Sequence, residues 1–64
     1  MWVLTRVNWG LEFAEVLGCW SRRPTAQQLG AVVDEDEVVV GAIFLCQMTG
    51  GKEGMYDLVE APLL

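Results

Sequence analysis

The chain has 64 residues, 53% of them hydrophobic, and a formal charge of −5 from nine acids against four bases. That apolar content excludes a disordered chain, and the scattered bases Arg6, Arg22, Arg23 and Lys52 supply no basic stripe for direct nucleic-acid binding. Two cysteines without any histidine exclude a four-ligand zinc site, and no metal or cofactor is expected.

This length allows one domain, residues 1–64. A domain of this size buries only about 60% of the surface its unfolded chain exposes, so a homodimer that shares its core is one expectation. Met1-Trp2-Val3-Leu4 does not open a signal peptide. A cytoplasmic location follows, with Cys19 and Cys46 reduced. The longest apolar run, residues 38–48 (VVVGAIFLCQM), is shorter than the roughly 20 residues that cross a bilayer, so no membrane association is expected.

Residues 2–9 (WVLTRVNW) are β-branched and aromatic and read as a first strand, with Val3, Thr5, Val7 and Trp9 on its more buried face. Residues 11–20 (LEFAEVLGCW) alternate again and read as a second strand. Leu11, Phe13, Leu17 and Cys19 share one face, and Ala14, Val16, Gly18 and Trp20 the other. Thr25-Ala26-Gln27-Gln28 fits a capping box with Pro24 before it, and Leu29, Val32 and Val33 follow at helical spacing. A helix of two to three turns is therefore expected, too short to stand alone and docked on a sheet, with Gly30 allowing close approach. Asp34, Glu35, Asp36 and Glu37 would face the wrong end of that helix's dipole, so they read as a solvated loop. The triple valine and the apolar run of residues 38–48 then read as a central strand covered on both faces. Residues 49–54 form a hairpin loop around Gly50-Gly51, and residues 55–61 a fourth strand ended by Pro62. The expected fold is α+β: a small antiparallel sheet of about four strands in the order strand, strand, helix, strand, strand, with one short helix on one face.

Most catalytic chemistries fail on residue type. Gly50-Gly51-Lys52 is not a phosphate loop, because Cys46 stands where the first glycine belongs and Glu53 where a Ser or Thr belongs. Neither cysteine has a histidine to activate it, and both read as small core residues. The acidic run does not have the spacing of a calcium loop. Of Trp2, Trp9 and Trp20, one or two belong in the core and the third is left for a partner. Arg22 and Arg23 read as solvated, or as a small contact for an acidic partner.

The segments WVLTRVN (2–8), VLGCWSRRPTAQQL (16–29) and YDLVEAPL (56–63) together resemble a pattern in small bacteriophage and prophage proteins. In that pattern two strands lead through a Pro-Thr-capped helix to a final strand that begins with an aromatic residue. The resemblance covers about half of the chain and departs over residues 30–54. It implies a fold and no catalytic residue. In size and acidity the chain is similar to anti-CRISPR proteins, which implies a non-catalytic inhibitor acting inside a host cell. Its partner would be a host protein with a basic, nucleic-acid-binding surface, met by carboxylates at Asp34, Glu35, Asp36 and Glu37 with Glu53, Asp57 and Glu60 in support. The alternative is an assembly module that pairs residues 38–48 or 55–61 across a two-fold axis through a sheet edge.

Overall fold

The computed structural model describes residues 1–10 and 13–62. The β-branched and aromatic residues near the start of the chain form strand β1 (Trp2–Asn8), and Ala14–Trp20 forms β2 antiparallel to it. Leu11 and Glu12, at the start of the expected second strand, lie outside the described residues. Helices α1 (Ala26–Val32) and α2 (Glu37–Phe44) follow, then a two-residue strand β3 (Thr49–Gly50) and β4 (Gly54–Glu60). The sheet is antiparallel throughout, in the order β2-β1-β4-β3. The α+β class and the four-stranded antiparallel sheet agree with the sequence.

The expected central strand at residues 38–48 is instead a helix, so the molecule has two helices and the order strand, strand, helix, helix, strand, strand. The acids explain this. They stand at the N-terminus of α2, where negative charge is favoured, rather than trailing at the C-terminus of α1. The Asp36 carboxylate accepts from the Val39 amide at 3.0 Å, which caps α2, and Glu37 occupies its first turn. Inside α2, Val40 and Ile43 are buried at helical spacing, so core packing outweighs the β preference of the valines.

The capping box at α1 forms as its sequence requires: Gln28 N–H donates to Thr25 Oγ1 at 3.1 Å, and Thr25 N–H to Gln28 Oε1 at 2.9 Å. Leu29 and Val33 point into the core with Leu4, Val40, Ile43, Tyr56 and Leu58, and Trp2, Leu17, Trp20 and Phe44 pack around them. Both helices thus cover the face of the sheet that bears Leu4, Tyr56 and Leu58. Leu4 belongs to the even set of β1, so the more buried face is the even one, not that of Val3, Thr5 and Val7. Gly30 makes no close approach, since nothing lies within 4 Å of where its Cβ would stand.

The alternation expected for β2 is interrupted by a bulge. Leu4 pairs with Gly18 but Thr5 pairs with Val16, which leaves Leu17 as the extra residue. The bulge reverses the parity of the strand. Trp20, Gly18 and Glu15 face the helices with their partners Trp2, Leu4 and Arg6, while Cys19, Val16 and Ala14 face away with Val3, Thr5 and Val7.

The end of α2 is a left-handed cap built on a cysteine. Cys46 has φ 59°, its amide donates to Ile43 O at 2.9 Å, and the Gln47 amide donates to Ala42 O at 3.0 Å. A non-glycine residue in that conformation costs about 1–2 kcal/mol, against about 0.5–1 kcal/mol for the extra unfolded freedom of glycine. Cys46→Gly is therefore expected to stabilise the fold by about 0.5–1 kcal/mol, and Gly30→Ala, in open space within α1, by about 1 kcal/mol. Thermal unfolding of the two variants checks this: each midpoint should rise by several degrees in a domain of this size, about 4–8 °C per kcal/mol.

Candidate functional site

The acidic residues singled out in the sequence separate into three places. Asp34, Glu35, Asp36 and Glu37 lie between α1 and α2 and at the start of α2, and hydrogen bonds from Glu35 bring the β3–β4 turn with Glu53 against them. Asp57 lies on the face of the sheet away from the helices, opposite Thr5. Glu60 is at the far end of β4, paired with Trp2.

Within the first group, two carboxylates have structural work. Asp36 caps α2. Glu35 accepts from the Lys52 amide at 3.0 Å, the Glu53 amide at 2.8 Å and the Tyr56 hydroxyl at 2.8 Å. The expectation of a wholly solvated acidic loop is thus corrected for these two. Asp34 and Glu37 remain exposed, Asp34 with only a long 3.8 Å contact to Lys52. Gly51 leaves the space Glu35 needs, since a Cβ there would stand 2.5 Å from the carboxylate. Burial pushes the Glu35 carboxyl up, but the amides of Glu53 and Lys52 and the Tyr56 hydroxyl outweigh it and hold the group below its usual range.

Tyr56 is fully buried and links this carboxylate to a second ion pair. Its neighbour across the strands, Arg6, donates to Glu15 Oε2 at 2.8 Å. Burial, then the hydrogen bond to Glu35, push the Tyr56 hydroxyl up to about 12, with Arg6 opposing. The phenol is enclosed on all sides. This line of polar groups is a structural brace.

The face of the sheet away from the helices is apolar and uncovered. Val3, Val7, Val16, Met55 and Val59 stand on it with Thr5 and Asp57, and Val7, Val16 and Val59 are 42%, 64% and 43% exposed. Trp9 continues this surface, 53% exposed, its ring near Gly50 and its indole N–H donating to Gly51 O at 2.7 Å. Of these, the sequence placed Val3, Thr5, Val7 and Trp9 on a buried face. The helices cover the opposite face of β1, and the bulge at Leu17 turns Val16 outward with them.

Other candidates resolve into structure. The Arg23 guanidinium lies 5.4 Å from the Trp2 ring centre and 4.8 Å from that of Phe44, and it donates to Phe44 O. Arg22 is left exposed. Cys19 and Cys46 are both free and exposed, not core residues as expected. A cleft of about 430 Å³ between α1 and α2 is lined by Ala26, Gly30, Val40 and Gly41, with Glu35 and Glu37 beside it. Among the described residues, no three His, Cys, Asp or Glu side chains are placed to hold a metal ion, and no helix is long and apolar enough to cross a membrane.

The lowered Glu35 pKa fixes the sign of its pH dependence: its stabilisation is present above the ordinary value of 4.5 and is lost as pH falls through the folded value. Glu35→Gln should cost about 1–3 kcal/mol at neutral pH and flatten the acid limb of the stability curve measured by urea unfolding. Tyr56, the only tyrosine in the chain, acts with the opposite sign. Its raised pKa contributes stability below the ordinary value of 10.0 that is lost as pH rises toward about 12. Tyrosinate absorbance near 295 nm is therefore expected to appear only as the fold is lost in strong alkali.

No protein-family model, no curated protein and no solved structure matches the chain.

Proposed function

We propose that the chain is a non-catalytic binding protein of the phage-encoded inhibitor type, acting in the host cytoplasm against a protein with a basic, nucleic-acid-binding surface such as a CRISPR effector. The observation that carries this reading is the uncovered apolar face of β2, β1 and β4, on the side of the sheet opposite both helices. A surface of this kind serves contact with another macromolecule rather than chemistry on a small substrate. The exposed carboxylates of Asp34 and Glu37 add a negative end that steers a cationic partner and competes for the bases that would hold nucleic acid.

The roles of the four acids decide how this reading is tested. Converting all four to lysine would remove the cap of α2 and the Glu35 bonds, and so unfold what it tests. The double variant Asp34→Lys, Glu37→Lys leaves those bonds in place. Phage plating on a host with an active CRISPR system is expected to rise when the chain is expressed. The double variant should lose much of that protection while keeping its unfolding midpoint near that of the parent chain. Plating that stays low with the folded parent chain against a panel of CRISPR types sinks the inhibitor reading.

A second reading, assembly through a sheet edge, keeps one supporting observation. Of the segments first named for it, residues 38–48 hold α2, while β4 is paired on its outer side only at Tyr56 and Met55, by the two-residue β3. The longer edge is β2, seven residues without proline or lysine, with its bulge and the inward-facing Glu15 as protection. Light scattering during size exclusion tests it: a mass near 7 kDa at every loading concentration excludes assembly through β2.

A further inference from the structure

The uncovered sheet face carries a single charge, halfway along β4, the flanking strand of the three that form it. Asp57 pairs with Thr5, and the pairs Val3–Val59 and Val7–Met55 flank it on either side. Its carboxylate makes no hydrogen bond or ion pair among the described residues, and the Thr5 hydroxyl donates instead to the Asp57 main-chain oxygen at 3.4 Å. Any partner that covers the valines also removes water from this carboxylate, and that is costly unless a cation replaces it.

The same face of a second copy of the chain carries no base to meet it. Arg6 is on the helix side and paired with Glu15, Arg23 is stacked on Trp2 and Phe44, Arg22 lies beyond the end of β2, and Lys52 is in the β3–β4 turn beside Asp34. Size points the same way. Three strands of seven residues span roughly 23 by 14 Å, about 300 Å² of flat area against the roughly 800 Å² per partner of a standard interface. One helix of about 14 residues, roughly 20 Å long and 10 Å across, fills such a face.

We propose that this face is the docking surface for an amphipathic helix of the partner protein that carries one arginine or lysine within its apolar stripe, with the cation meeting Asp57. The docked helix covers the sheet on the side opposite α1 and α2, its apolar stripe over Val3, Val7, Val16 and Val59. The proposal rests on the binding-protein reading above and adds the chemistry of the partner.

The test uses the full chain, isotopically labelled, and three synthetic helical peptides of leucine and alanine that differ at one stripe position: arginine, its neutral isostere citrulline, or glutamate. The arginine peptide is expected to shift the amides of Val3, Val16, Asp57 and Val59. It should bind at least about tenfold more tightly than the citrulline peptide. Asp57→Asn, whose side chain makes no internal bond to lose, should erase that difference, and Val16→Lys should abolish binding of all three. Equal affinity for the arginine and citrulline peptides, or shifts confined to α1 and α2, overturns the proposal. So does a dimer in light scattering that Val16→Lys dissolves, because it assigns the face to a second copy. Phage protection that survives Asp57→Asn combined with Val16→Lys keeps the inhibitor reading and overturns this docking surface. A charge preference in the peptides without any phage protection supports the docking surface and overturns the inhibitor reading.

Discussion

The carboxylate of Glu35 is the knot of this fold. A four-residue link, 33–36, separates the two helices, and a three-residue turn, 51–53, separates β3 from β4. The amides of Lys52 and Glu53 in the turn are met by a side chain of the link. That side chain joins the two segments by accepting from these two amides and from the only tyrosine in the chain. Hydrogen bonds to a charged acceptor are worth more than neutral ones, and leaving these donors unmatched would cost as much again. Through Tyr56 the same carboxylate reaches the middle of the sheet, beside Arg6 and its partner Glu15. The helix layer is thereby fixed to the sheet at its polar end, as Leu29, Ile43 and Leu58 fix it at its apolar centre.

This arrangement changes the meaning of an acidic composition. A run of four acids invites a reading in terms of net charge and partners. Here Asp36 begins a helix and Glu35 ties a turn, while Asp34 and Glu37 carry the charge that a partner can feel. The most isolated carboxylate, Asp57, is outside the run altogether, on an apolar face where a single charge counts for more than several do in open water. Charge that stabilises and charge that recognises are thus divided between neighbouring residues of the same type.

Much of the fold was legible because its signals are local. The alternation of residues 2–8, the Thr25–Gln28 capping box and the strand before Pro62 each depend on residues within a few positions of one another. What failed depended on distance or on a break in pattern. Val38, Val39 and Val40 have strand preference, which the Asp36 cap and the burial of Val40 and Ile43 against α1 and the sheet override. The Asp36 cap was visible in principle as an Asx residue three positions before Val39, but the acids were attached to the preceding helix rather than the following one. The bulge at Leu17 leaves no mark in the alternation, yet it decides that Val16 and Cys19 of β2 both face outward. The partners of Glu35 lie 17 to 21 residues away, beyond any periodicity. The candidate binding face was missed for the same reason: it is defined by what the helices leave uncovered.

The sheet order has a consequence for how the molecule comes into being. Its two inner strands are β1 and β4, the earliest and latest of the four in the chain, and they pair residue for residue from Trp2 with Glu60 to Asn8 with Gly54. Closing that pair costs the entropy of a loop of some fifty residues before the core gains anything from it. The β1–β2 and β3–β4 hairpins and the two short helices form from local contacts, and such elements are marginal alone. The centre of the sheet thus joins the two ends of the described chain, and the pairing that completes it waits on the last strand.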